Sequence, residues 1–214
     1  MRVTSLIWLV CSALALPASA AKPTFQFKPP PDEERPVIVR AIIGPQGSDY
    51  ALQLHFDREP WGDACKNRCA NATLLLDLDA SAQTGLQLGK GAAENGADLA
   101  VVVQGSRQYA DDGGQGVLRV KVIELPSGTT GIDEGETLAE LDHRRDADRV
   151  LLDGTTLFLL VDVTSATLPS ARKARVVYRP PGHRAIVASM AGLGSGASKG
   201  KARIFRDGDW GRAR

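Results

Sequence analysis

Rings are scarce in this chain: aromatics make up 5% of its 214 residues, with three tryptophans and three tyrosines. Any stacking platform must therefore be built from one or two side chains. An excess of one charge is also missing, since 26 Lys plus Arg stand against 25 Asp plus Glu. With 43% apolar residues, this balance fits an ordinary globular protein and excludes collagen-like, coiled-coil and wholly disordered classes. No fixed-period repeat is present.

Catalytic signatures are missing as well. The Gly-x-Gly-x-x-Ala pattern over 192–197 leaves too little chain for the helix and strand of a dinucleotide site. Residues 194–201 match a phosphate loop only with one deletion, and Ala202 stands where Ser or Thr is needed. The residues thus predict a non-enzymatic protein.

What is there begins with a targeting segment. Arg2 precedes an apolar stretch over 6–16, then Pro17 and Ala18-Ser19-Ala20. Small residues at the first and third positions before the cut suit signal peptidase, so residues 1–20 read as a cleaved signal peptide and the mature chain as periplasmic or secreted. The stretch is too short to span a bilayer, and no transmembrane segment is expected in the mature chain. Trp8, Leu9 and Val10 before Cys11 do not suit lipid attachment. Losing Arg2 leaves 25 bases against 25 acids. Residues 191–214 form a basic Gly/Ser-containing tail with Lys199, Lys201, Arg203, Arg206, Arg212 and Arg214, read as solvated.

Cys65 and Cys69 are the two cysteines left after cleavage. An even pair in an exported chain most simply forms a disulfide, worth only about 2 kcal/mol for so small a loop. A redox dithiol favoured by Lys66 and Arg68 is the alternative, but the Cys-x-x-Cys spacing is missing.

Residues 21–36 carry five prolines and predict an extended arm without packed structure of its own. From 37 onward alternation dominates. Tyr50, Leu52, Leu54 and Phe56 share one face; Leu118, Val120 and Val122 share another; Val176 and Tyr178 point inward between Arg175 and Arg179. Continuous apolar runs at 37–43, 73–78, 99–103, 157–163 and 185–190 suit central strands, with turn residues between them. Only 137–150, around Leu138, Leu141 and His143, reads as a short helix. About nine strands predict an all-β, two-sheet, mainly antiparallel sandwich over 37–190, jelly-roll or immunoglobulin-like, with one short helix.

The most distinctive segment ends a buried strand with Asp77 and Asp79 at alternate positions, followed by Ser81 and a glycine-rich loop that returns at Asp98. If the flanking strands are neighbours, three carboxylates and the Ser81 hydroxyl converge at one end of the sandwich. Such hard oxygens are what calcium selects. An EF-hand is excluded, because Ala82 stands where glycine is needed. The alternative is that these aspartates cap turn amides without any metal, and both readings stand.

The strand ending Asp-x-Asp, the turn closing on Thr84-Gly85, the glycine-rich loop and Gly96-Ala97-Asp98 together resemble the DOMON-like superfamily, which includes carbohydrate-binding module family nine. The resemblance is specific over residues 72–103 and architectural over the rest of 37–190. It implies a two-sheet sandwich that binds sugar, haem or another ligand, or serves a surface role at the cell envelope. A sugar platform would use Trp61 and Tyr109, and haem ligation would draw on His55, His143, His183 or Met190, none of which shows a signature spacing.

The residues thus predict an exported binding or structural module with a cation site at Asp77, Asp79, Ser81 and Asp98. A glycan-binding module is the first alternative and a haem or redox carrier the second. No specific nucleic-acid binding is expected.

Overall fold

The computed structural model describes residues 24–33, 35–46, 49–61, 69–106, 117–162 and 175–190. The predicted signal peptide, the basic tail, Cys65 and Tyr109 lie outside these residues. Twelve strands are present among them: β1 (Thr24–Gln26), β2 (Ile38–Gln46), β3 (Asp49–Phe56), β4 (Asn71–Asp77), β5 (Leu99–Ser106), β6 (Val117–Glu124), β7 (Glu136–Asp142), β8 (Val150–Asp153), β9 (Thr156–Asp162), β10 (Arg175–Arg179), β11 (Ile186–Val187) and β12 (Ser189–Met190). They form two six-stranded sheets, ordered β12-β1-β2-β3-β9-β8 and β11-β10-β4-β5-β6-β7. Every pairing between these strands is antiparallel. The architecture is the predicted β-sandwich. No helix among the described residues is long and apolar enough to cross a membrane.

The alternation read from sequence sets the faces. Leu52, Leu54 and Phe56 from the first sheet meet Leu118, Val120, Val122, Val176 and Tyr178 from the second in one buried cluster. Tyr178 is fully buried, and its hydroxyl accepts the Ile38 N–H at 3.3 Å, so the phenol ties the two sheets together. Burial pushes its pKa up to about 12.

Continuous apolar runs in β4 and β5 have a specific cause. A second buried cluster lies on the outer face of their sheet and comprises Leu75, Leu86, Ala97, Ala100, Ile123, Leu125 and Val177. Strand residues covered on both faces must be apolar on both. The cover is supplied by residues 79–98, which insert fully buried Leu86 over the sheet. Leu86 forms an isolated parallel bridge with Thr129, and the Gln87 N–H donates to the Thr129 carbonyl at 2.7 Å. Gly85 closes this cover at φ 58°, where an added Cβ would overlap the Ala97 carbonyl oxygen.

Three expectations are corrected. Residues 137–150 contain no helix: β7 pairs along β6 and is followed by a turn, and the helical element among the described residues is a 3-10 turn at Ile132–Glu134. The i, i+3 spacing of Leu138 and Leu141 is short, and β6 supplies main-chain partners that outweigh local propensity. Asp146 accepts the Asp142 N–H at 2.7 Å, which turns the chain back toward β8. The proline-rich arm is not free of packed structure either. Thr24–Gln26 joins the first sheet, with Phe25 and Phe27 buried and the Phe27 ring edge-on to Tyr178 at 5.4 Å. Prolines exclude strands only locally, and two alternating phenylalanines bury enough area to hold the segment. Finally, the run at 185–190 is divided between the sheets: Ile186–Val187 pairs with β10, while Ser189–Met190 pairs with β1.

Truncating Leu86 would empty the centre of the outer cluster. Leu86→Ala is expected to lower stability by about 2–5 kcal/mol. Urea unfolding followed by circular dichroism measures this, and a loss below about 1 kcal/mol would show that the cover does not bury the sheet as described.

Candidate functional site

Strand register assembles the aspartates. Asp77 ends β4, and the Asp98 N–H extends the ladder by donating to the Leu76 carbonyl at 2.8 Å. The connection between them is drawn shut by its own polar groups. Asn95 donates from its amide to the Gly89 carbonyl at 2.7 Å and accepts the Leu88 N–H at 2.8 Å. Gln87 Nε2 donates to the carbonyls of Ala82 at 3.0 Å and Thr84 at 2.9 Å. Carboxylate oxygens of Asp77, Asp79 and Asp98 consequently lie within 4.8 Å of one another. Of the four ligands expected from sequence, the structure brings these three together.

Each carboxylate has distinct partners. Asp79 Oδ1 accepts the Ser81 N–H at 2.8 Å, and both its oxygens receive the Thr84 hydroxyl, at 3.1 and 3.0 Å. Asp98 Oδ2 accepts the Leu78 N–H at 2.7 Å. The turn-capping interactions read as the alternative are therefore present. Ser81 uses its hydroxyl elsewhere, accepting the Gln83 N–H at 3.3 Å.

Asp77 differs from the other two. Its residue is 2% exposed, and Oδ2 accepts a hydrogen bond from Arg175 Nε at 3.0 Å, with Nη2 of the same ion pair also 3.0 Å away. Its Oδ1 is buried and has no hydrogen-bond partner. Burial is the main reason that the Asp77 carboxyl titrates above the ordinary carboxylate range; the Arg175 guanidinium and the Ala80 main-chain N–H offset this in part, and the Asp79 charge adds to it. Asp98 is raised for the same leading reason, with repulsion from Asp79 and Asp77 added. A pair of raised carboxylates sharing a rim with a third is short of positive charge.

Arg175 went unnoticed as a site residue because the sequence shows it only as an outward strand position. Its importance follows from pairing: β10 sets Arg175 directly across from Asp77. Nη2 also donates to the Asn95 carbonyl, so one guanidinium joins the strand end to the closing loop.

The other candidates are distributed elsewhere. Trp61 is partly buried against the main core, with its ring 4.4 Å from that of His143 and its Nε1 buried without a partner. The His143 Nδ1 accepts the Leu118 N–H at 3.0 Å, which fixes the ring at the edge of the second sheet, and burial lowers its pKa. His55 lies on the first sheet. Arg40 Nη2 is 3.2 Å from both its ring nitrogens, and the Thr156 hydroxyl is 3.1 Å from Nδ1. Cys69 is buried, while Cys65 lies outside the described residues.

The fold and site define a two-sheet antiparallel sandwich with an acidic rim. Comparison with known proteins finds no matching family model, no matching curated protein and no matching solved structure.

A pH dependence follows from His55, whose pKa is lowered from 6.5 to about 4 by burial first and by the Arg40 charge second. Between these values the unfolded chain binds a proton that the folded chain refuses, so stability falls as pH drops through this window. His143 contributes with the same sign. Relative to the parent chain, His55→Gln should show a flatter decline between about pH 6.5 and pH 4 in urea midpoints. Parallel pH profiles for the two would instead mean that this histidine is not held neutral.

Proposed function

We propose that this protein is an exported, non-catalytic β-sandwich module with a binding or structural role at the cell envelope, and that Asp77, Asp79 and Asp98 hold a calcium ion at its rim. The observation carrying the cation reading is the buried, partnerless Oδ1 of Asp77 in a cluster whose carboxylate oxygens lie within 4.8 Å. A buried acceptor without a partner is costly, and an uncompensated carboxylate more so. A divalent cation would serve several of these hard oxygens at once, with water and loop carbonyls completing the six to eight ligands that calcium takes.

The sequence likeness to DOMON-like modules supports the same general role, since the sandwich architecture that it implies is the one observed. The position of Trp61 gives the glycan reading less support, because one side of its ring faces His143. Cleavage after Ala20 and pairing of Cys65 with Cys69 belong to the same proposal. Their support is the signal-like sequence and the buried position of Cys69.

Thermal melting with and without calcium tests the site. A ligand present at a hundred times its Kd stabilises by about 2.7 kcal/mol, which for a domain of this size raises Tm by roughly 5–11 °C. Millimolar calcium should produce such a rise in the parent protein and none in Asp77→Asn. An unchanged Tm in the parent protein would leave the three carboxylates as turn caps.

A further inference from the structure

We infer that Arg175 is a charge-setting residue of the rim, positioned to make the Asp77, Asp79 and Asp98 cluster favour a divalent over a trivalent cation; this rests on the cation reading above. Three ionised carboxylates carry three negative charges, and the guanidinium fixed on Asp77 Oδ2 at 3.0 Å from both Nε and Nη2 removes one of them. The remainder matches a doubly charged ion.

Contacts on three sides hold Arg175, a side chain that is 32% exposed. Its Cα is paired with that of Asp77 across β10 and β4, its neighbours Val176 and Val177 are buried on opposite faces of the sheet, and the Asn95 carbonyl holds Nη2 from the loop side. The Nε hydrogen bond and the Nη2 ion-pair contact fall on the same Asp77 oxygen, Oδ2, which leaves Oδ1 outside the pair. Arginine suits this arrangement because its planar fork reaches two acceptors and keeps its charge at every relevant pH. It therefore tempers the field of the cluster without occupying all of its oxygens.

Coulomb repulsion gives the consequence. A fixed positive charge opposes a trivalent ion more than a divalent one, by one additional unit of charge at a separation of a few ångströms. Depending on effective dielectric, this amounts to a severalfold to hundredfold discrimination, with about tenfold as the central expectation. A solely structural arginine would alter stability and leave the ratio of the two affinities unchanged.

The test is isothermal calorimetry of the folded mature protein with calcium chloride and, separately, terbium chloride. Arg175→Gln removes the charge while retaining a donor for the loop, Arg175→Met is a second neutral variant should the first fail to fold, and Arg175→Lys retains the charge. The ratio of the calcium Kd to the terbium Kd should rise about tenfold in a neutral variant and stay near the parent value in the lysine variant. An unchanged ratio in a folded neutral variant, or an equal rise in the lysine variant, would overturn the role of Arg175 while leaving calcium binding in place. Absence of calcium binding in the parent protein would instead overturn the cation reading, and this inference with it.

Discussion

Burial of the second sheet on both faces is the constraint from which most of this structure follows. One face meets the opposing sheet, while the other needs its own cover at Leu75, Ala100, Ile123 and Val177. That cover is the connection between β4 and β5, so the loop is a packed part of the fold. Because the sheet's outer face is sealed by a chain that starts and ends on adjacent strands, the connection has to fold back on itself. Its closure is made by glycines at positive φ and by polar side chains directed at main-chain groups.

The same closure concentrates charge. Asp77 and Asp98 stand where the loop leaves and rejoins the sheet, with Asp79 capping the first bend between them. Structural capping and cation binding are compatible in this arrangement, since each uses different lone pairs. Asp79 has both oxygens engaged with Thr84 and so acts chiefly as an anchor of the turn. Asp77 has one oxygen committed to Arg175 and the other buried without a partner. The electrostatic burden of the rim is thus unequal among three residues that look equivalent in sequence.

Alternation made the inward faces of β3, β6 and β10 legible before any coordinates, because period-two patterns have a single geometric meaning. The Asp77, Asp79 and Asp98 convergence was legible for a related reason: if two consecutive strands are antiparallel neighbours, the end of one and the start of the next must be close. Ser81 was less legible, since a hydroxyl in a turn has several main-chain amides within reach, and Gln83 takes it. Arg175 was hidden altogether, because 98 residues separate it from Asp77 and only strand order makes them partners. Within 137–150 the i, i+3 spacing of Leu138 and Leu141 does not decide between helix and sheet when a strand is available beside it. In the arm, five prolines obscured two phenylalanines that the core captures.

The division of the last apolar run has a geometric corollary. After Ala188 the chain has passed from one layer to the other, and Met190 lies opposite Phe25 in the antiparallel pairing of β12 with β1. The first and last described strands are therefore side by side at one border of the sandwich, with β8 at the opposite border of that sheet. The described sandwich thus begins and ends at the same border, so holding it by Thr24 or by Met190 displays the same far side. Adjacency of β1 and β12 also makes the strand order a matter of where the ring of contacts is cut, which is the topological condition for circular permutation of the sandwich.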